Sequence, residues 1–93
     1  MIDNARYVSV LILDQVLNKK AYSNLALKEN LDKYNLKNVD KKLVTEIVYG
    51  TIKFKLSIDN IMKNFVNKID ENHISIIILR SAIYQLKYLD KIP

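Results

Sequence analysis

The chain has 93 residues and a formal net charge of +5, and 49% of its residues are hydrophobic and 27% charged. This length fits one domain, and this balance is typical of a globular protein rather than a disordered or membrane-embedded one. With one glycine, one proline and no cysteine, the composition predicts an all-α fold and excludes a disulfide framework, a thiolate zinc site and a cysteine nucleophile.

The first two predicted elements are helices joined by a short polar segment. Apolar residues recur at helical spacing from Asn4 to Asn18, which predicts a nearly apolar and therefore central helix 1. The segment "NKKAYSN" interrupts this pattern. Ser23 is the predicted N-cap of helix 2, from Asn24 to Tyr34, because its hydroxyl can accept from the unpaired amides of the first turn.

Helix 3 contains Gly50, the only glycine of the chain, and Asp40 is its predicted N-cap. A glycine in a helix interior costs about 1 kcal/mol relative to alanine. We therefore expect Gly50 to face inward and to allow another helix to approach at a small residue such as Ala82. The apolar stripe predicted for this helix consists of Leu43, Ile47, Gly50 and Phe54.

Two more helices complete the predicted bundle of about five. Ser57 is the predicted cap of a short helix from Ile58 to Val66, and Asp70 or Asn72 is expected to start the last helix. Because so apolar a helix needs cover that no later segment provides, we expect the bundle to be truncated at its C-terminus. The stripe predicted to be buried in the last helix is Ile74, Ile78, Ala82, Leu86 and Leu89.

Two charged residues of these helices have apolar neighbours. Glu46 lies within helix 3 and Arg80 within helix 5. Because a buried charge needs a partner, we predict a structural Glu46–Arg80 ion pair across the helix 3–helix 5 contact, one turn from Gly50. An alternative stays open, in which Arg80 binds a phosphate.

Basic residues point to a polyanionic partner. The sequence pI is about 9.4, and residues 37–68 carry seven basic and three acidic side chains. Lys53 and Lys55 could instead complement the dipole at the end of helix 3. The candidates for phosphate contacts in RNA are Arg6, Lys19, Lys20, Lys53 and Lys55.

Aromatic residues have two open interpretations, base stacking or core packing, and core packing is expected for two of the three tyrosines Tyr49, Tyr84 and Tyr88. Three further residues are candidates for base contact: Tyr22, Asn24 and Phe54. No catalytic, cofactor-binding or metal site is predicted, because Gly50 lacks a glycine-rich loop around it and His73 is the sole histidine.

Four motifs carry a resemblance to a known family. They are "NAR" at 4–6, "AYSNLAL" at 21–27, "TEIVYGTIK" at 45–53 and "ILRSAIYQLKYLDKIP" at 78–93. Together they resemble the NusB-like domain, in particular the version at the N-terminus of the Sun (RsmB) family of bacterial ribosomal RNA cytosine-C5 methyltransferases. The resemblance covers essentially the whole chain.

This resemblance implies an incomplete NusB-like RNA-binding domain over residues 1–93, with Arg6 representing the basic N-terminal segment of the family. The implied function is to position small-subunit (16S) rRNA. Methylation would belong to an absent catalytic domain of the same polypeptide, which would use S-adenosylmethionine. A cytoplasmic location, no membrane partner and self-association through exposed apolar surface are also expected.

Two alternative functions stay open. A stand-alone NusB-type transcription antitermination factor would bind RNA together with a ribosomal protein, and the length of the native reading frame would distinguish it. A helical protein-interaction module would bind no nucleic acid, and its binding would lack the steep salt dependence of phosphate contacts.

Overall fold

The computed structural model describes residues 4–70 and 73–89, and these residues form five α-helices and no strand. The predicted all-α fold with about five helices is therefore confirmed. The helices are α1 (Asn4–Leu17), α2 (Ser23–Lys33), α3 (Asn38–Lys53), α4 (Lys55–Met62) and α5 (Ile74–Tyr88).

Helix α1 is the centre of the bundle, as its apolar sequence predicted. It packs against α2, α3 and α5, and four of its five buried residues are apolar. Burying one valine, leucine or isoleucine side chain contributes about 1.5–3 kcal/mol to the stability of the fold. The core formed around α1 includes Val8, Ile12 and Leu13 of α1 with Val44 and Val48 of α3 and Ile77 of α5.

Helices α3 and α5 pack with their C-terminal halves together. The ring of Tyr84 lies against Gly50, and one turn further along both helices the rings of Phe54 and Tyr88 stack. Phe54 ends α3 and directly precedes α4, so the chain bends at the edge of this contact. This arrangement brings α4 and α5 into contact as well.

The three predicted serine and aspartate caps are wrong. Ser23 is the first residue of α2, Asp40 lies in the first turn of α3, and Ser57 lies inside α4. The N-cap positions are held by Tyr22, Lys37 and Phe54, none of which makes a side-chain cap bond. A cap contributes about 1 kcal/mol, which is less than the burial of a helix face, so packing sets these boundaries.

Helix α5 begins after His73 rather than at Asp70. The Nδ1 atom of His73 accepts the backbone N–H of Ser75 at 3.1 Å, so the imidazole acts as an N-cap. The other predicted start, Asn72, lies outside the described residues. The sole histidine of the chain thus has a structural role.

The buried face of α5 is not the predicted apolar stripe. Ile74, Ile78 and Leu86 are exposed, and Leu86 is 85% exposed. The helix is apolar on more than one side, so periodicity does not distinguish the faces. The buried face, which packs against α1, α3 and α4, consists of Ile76, Ile77, Arg80, Ser81 and Tyr84.

No helix in the described ranges is long and apolar enough to cross a lipid bilayer.

The Thr51 hydroxyl provides a test of the core of α3. Its Oγ1 atom is fully buried and has no hydrogen-bond partner among the described residues. Thr51→Val keeps the β-branched shape and removes the unpaired polar atom, so we expect it to stabilise the fold by about 1 kcal/mol. The measurement is the midpoint of urea unfolding.

The matched control is Thr45→Val on the same helix. The hydroxyl of Thr45 donates to the Lys41 carbonyl oxygen at 2.8 Å, so its removal is expected to be neutral or slightly destabilising. A lower midpoint for Thr51→Val than for Thr45→Val would contradict the prediction.

Candidate nucleic-acid interface

A shallow groove of about 520 Å³ lies on the outer side of α3, where α5 approaches it. Its wall combines lysine side chains with aromatic rings, which is the combination that contacts phosphates and bases. The lining residues are Lys41, Lys42, Thr45, Glu46, Tyr49, Gly50, Lys53, Phe54 and Tyr84.

The floor of the groove depends on Gly50. A Cβ atom placed on Gly50 would overlap Cζ, Cε1 and the hydroxyl oxygen of Tyr84, so only glycine leaves room for this ring. Gly50 therefore allows a close approach of α5, as predicted, but the residue that approaches is Tyr84 rather than Ala82. Burial of the ring, with the negative charge of Glu46, raises the pKa of the Tyr84 hydroxyl.

Three stacked rings join α3 to α5 beside this floor. The ring centroids of Phe54 and Tyr88 are 4.3 Å apart with planes at 9°, and those of Tyr84 and Tyr88 are 5.6 Å apart. The Nζ atoms of Lys53 and Lys87 lie 5.3 and 5.7 Å from the Phe54 and Tyr88 centroids, respectively. Such cation–π contacts hold the lysines over the stack. Tyr84 is buried and Tyr88 half-buried, so both complete the packing.

Tyr49 differs from the stacked rings because its side chain is 42% exposed. Lys42, Glu46 and Lys53 are also exposed and line the same groove. Lys42 lies seven residues before Tyr49, Glu46 three residues before it and Lys53 four residues after it. These spacings place all four side chains on one face of α3. Along this face the charges alternate as positive, negative and positive, with the tyrosine beside the negative charge.

Of the five predicted phosphate contacts, Lys53 is the one that lines the groove. Lys55 pairs with Asp59 on α4 at 3.1 Å. Lys19 pairs with Asp14 at 3.6 Å near the end of α1, and Lys20 follows it with a φ of 60°. These lysines lie at or next to the ends of helices. Helical periodicity does not predict how the ends of different helices are arranged in space.

Arg6, the remaining candidate, has a partner on another helix. Its Nε atom donates to Oε1 of Gln85 on α5 at 2.7 Å. The guanidinium thus helps to connect α1 to the C-terminal half of α5. Its role in RNA binding stays a prediction.

The predicted Glu46–Arg80 ion pair is wrong. Arg80 is fully buried and donates from Nε to Oδ1 of Asp59 at 2.9 Å and from Nη2 to Oδ2 at 3.2 Å. Glu46 is exposed, because the side of α3 that packs inward presents other residues. The alternative of Arg80 as a phosphate ligand fails as well, since its side chain is not accessible.

Asp59 is a structural residue that the sequence analysis missed. Burial alone raises the pKa of this carboxyl, but hydrogen bonds from Arg80 and Lys55 and the positive charges of both outweigh burial, so the pKa lies below its usual value. The available signal was its position in the short helix α4, between the buried residues Ile58 and Met62. It lies two residues after the predicted cap Ser57, and nothing in this segment indicates its partner on α5.

Three cations near the groove were also missed: Lys41, Lys42 and Lys87. Lys42 lies seven residues before Tyr49 and eleven before Lys53, a helical spacing that could have grouped them. Lys87 could not be grouped in this way, because its proximity depends on how α5 packs on α3. In the described ranges, no group of three or more histidine, cysteine, aspartate or glutamate side chains is arranged to hold a metal ion.

Fold and site together define a small helical-bundle domain with a cationic, aromatic-lined groove. The model of the NusB family matches residues 3–93, and the chain belongs to this family. The resemblance given by the four motifs is therefore confirmed.

Two relatives are rRNA methyltransferases by name. The chain is 36% identical over 91 residues to the probable ribosomal RNA small subunit methyltransferase B of Bacillus subtilis (strain 168). It is 28% identical over 92 residues to the protein of the same name from Synechocystis sp. (strain ATCC 27184 / PCC 6803 / Kazusa). Each match covers 97% of this chain but only 20% and 21% of the respective relatives. No solved structure is significantly similar to the chain.

Proposed function

We propose that this chain is the RNA-binding accessory domain of an S-adenosylmethionine-dependent methyltransferase that modifies a cytosine of small-subunit (16S) rRNA. The domain positions the rRNA, and another part of the same polypeptide performs the transfer. The observation that carries the proposal is the groove on α3, where Lys41, Lys42 and Lys53 surround exposed aromatic surface. The names of the two relatives support rRNA as the ligand.

Binding in this proposal is electrostatic in its first step. Lysines that neutralise phosphates release condensed counterions, and this release favours association at low salt. Phosphate contacts fix the register of the RNA without reading its sequence. The domain would therefore raise the local concentration of rRNA and orient it for the catalytic part.

The described residues do not fit S-adenosylmethionine. The one glycine of the chain is at Gly50, and the space above it is filled by the ring of Tyr84, so the backbone there cannot approach a cofactor. We place the cofactor and the reacting groups outside this domain and derive no chemical step from these residues. A reading frame that continues into a domain with a cysteine nucleophile would agree with this placement.

The proposal predicts salt-dependent RNA binding that depends on Lys53. Titration with labelled small-subunit rRNA segments at about 50 and about 200 mM salt should show affinity falling with salt, with a log–log slope of about −0.7 per phosphate contact. Lys53→Ala should weaken binding and reduce the magnitude of this slope by about 0.7. Fluorescence anisotropy measures both quantities.

The matched control is Lys28→Ala, which removes an exposed lysine on α2 outside the groove. It should leave the slope unchanged within error. Arg6→Ala tests the N-terminal candidate in the same titration. A flat salt response, or equal effects of Lys53→Ala and Lys28→Ala, would contradict RNA binding through the groove and favour a protein partner.

A further inference from the structure

Tyr49 lines the groove and is exposed to solvent. Phe54 and Tyr84, the other aromatic residues of the lining, belong to the three-ring stack with Tyr88. In the described part of the chain, Tyr49 stacks on no other ring. Its exposed ring can therefore accept a flat partner, and base–tyrosine stacking is the usual way in which such a ring binds unpaired nucleotides.

The charges on either side of Tyr49 restrict what this partner can be. Lys42 and Lys53 are about 16 Å apart along the helix axis, at 1.5 Å per residue, and Glu46 lies between them. A ligand with negative charge at the centre would be repelled by Glu46. The groove instead matches a ligand with a flat, neutral, hydrogen-bond-donating centre and negative charges at both ends.

A nucleotide segment has this distribution of charge when its base occupies the centre. Cytosine and adenine carry exocyclic amino groups that donate to a carboxylate, whereas the corresponding edge of thymine, and likewise of uracil, presents a carbonyl acceptor. The base must be unpaired, because pairing and stacking in a duplex hide its face and its amino edge. An acidic peptide fits less well, since its carboxylates cannot donate to Glu46.

We infer that the groove binds one unpaired, amino-bearing nucleobase of single-stranded RNA, stacked on Tyr49 with its amino group donated to Glu46. The phosphates at Lys42 and Lys53 belong to neighbouring nucleotides on either side of the stacked one. This inference rests on the proposed function and adds the recognition mode of the site: the lysines supply affinity, and the Tyr49–Glu46 pair selects the base. Arg80 pairs with Asp59 rather than with Glu46, so the Glu46 carboxylate is available for this role.

The experiment compares oligocytidine and oligouridine of about ten nucleotides, a length within the usual site sizes of single-strand binders. Titration of the chain at neutral pH and low salt should show roughly fivefold or stronger preference for oligocytidine. Glu46→Ala should abolish this preference and tighten the binding of oligouridine. Its control, Glu29→Ala, removes an exposed carboxylate on α2 and should change the affinity for both oligomers equally.

Tyr49→Ala tests the stacking partner. It should lower the affinity for both oligomers by roughly tenfold. The salt dependence of the affinity should stay unchanged, because the ring contacts no phosphate. Tyr49→Phe should retain the affinity, and Phe65→Ala, at an exposed aromatic residue outside the groove, should have no effect. Urea unfolding of each variant shows whether it is folded. The ratio of the affinities for oligocytidine and oligouridine is a second readout, because a general structural defect would weaken the binding of both oligomers.

Several outcomes would overturn the inference while leaving the proposed function in place. These are binding of rRNA segments without binding of either oligomer, equal affinities for the two oligomers, and equal effects of Tyr49→Ala and Phe65→Ala. A glutamate-rich peptide that binds more tightly than both oligomers would also overturn it. Absence of salt-dependent binding to every RNA, rRNA segments included, would instead reject the proposed function itself.

Discussion

Replacing Gly50 with leucine is expected to lower the free energy of unfolding by about 3 kcal/mol, at the upper end of overpacking costs. Even a single Cβ atom at this position overlaps the ring of Tyr84, and a leucine adds three more carbons. An added side chain must displace the ring of Tyr84, which is buried and stacks with Tyr88 and Phe54, so making room for it breaks this packing. Urea unfolding followed by circular dichroism measures the loss.

A double-mutant cycle with alanine isolates the contact. Alanine is a better helix former than glycine by about 1 kcal/mol, so Gly50→Ala should stabilise α3 wherever the added methyl group has space. In a Tyr84→Leu background the ring is gone, and Gly50→Ala should then be stabilising, whereas in the wild type it should be destabilising. Unchanged unfolding of Gly50→Leu with lost RNA binding would make Gly50 a ligand-approach site instead.

Asp59→Ala is expected to destabilise the fold by about 3 kcal/mol, because it removes the carboxylate that compensates the buried guanidinium of Arg80. The loss should exceed that of Lys55→Ala, which removes the second cation beside Asp59. Lys55 is partly exposed, with 27% of its side chain accessible, and such pairs contribute about 1 kcal/mol or less. Urea unfolding of the two variants at neutral pH gives the comparison.

Acid should reproduce part of this loss in the wild type. The pKa of Asp59 is lower in the folded chain than in the unfolded chain, so the unfolded state takes up its proton first as the pH falls. The contribution of Asp59 is fully present above the usual aspartate pKa and is lost as the pH falls through the lower folded-state pKa. The stability difference between the wild type and Asp59→Ala should therefore shrink in this acidic range.

A control variant distinguishes charge from packing. Asp59→Leu combined with Arg80→Met replaces the pair by apolar side chains of similar volume, and it should recover most of the stability lost in Asp59→Ala. Equal stability of the double variant and Asp59→Ala would show that packing, not the loss of the Asp59–Arg80 ion pair, caused the destabilisation. A pH-independent difference would contradict the role of the Asp59 carboxylate.

The helices could be predicted from the sequence more reliably than their ends. Helix α1 was predicted from Asn4 to Asn18 and spans Asn4–Leu17, because its apolar residues dominate the segment. The predicted caps Asp40 and Ser57 were wrong, since single side-chain cap bonds contribute less than the packing of a helix face. A cap bond is local and can be recognised in the sequence, whereas the packing of a helix face depends on residues that are distant in the sequence.

The candidate site could be predicted only in part. Lys53, Phe54 and Gly50 were singled out from one segment of α3, and all three line the groove. Lys87 could not be found, because nothing local indicates that it lies over Tyr88 next to α3. The charge partner of Arg80 was misassigned for the same reason: pairing across 21 residues depends on how α4 meets α5.

Composition and helical periodicity were sufficient to predict the all-α class, the central position of α1 and the inward orientation of Gly50, because both act within one segment. The buried face of α5, the carboxylate that pairs with Arg80 and the set of side chains in the groove depend instead on contacts between helices. An isolated helix with apolar residues on several sides has no preferred face. Its orientation is set by the fit of Tyr84 over Gly50 and by the Asp59–Arg80 pair, both of which exist only when separate helices meet.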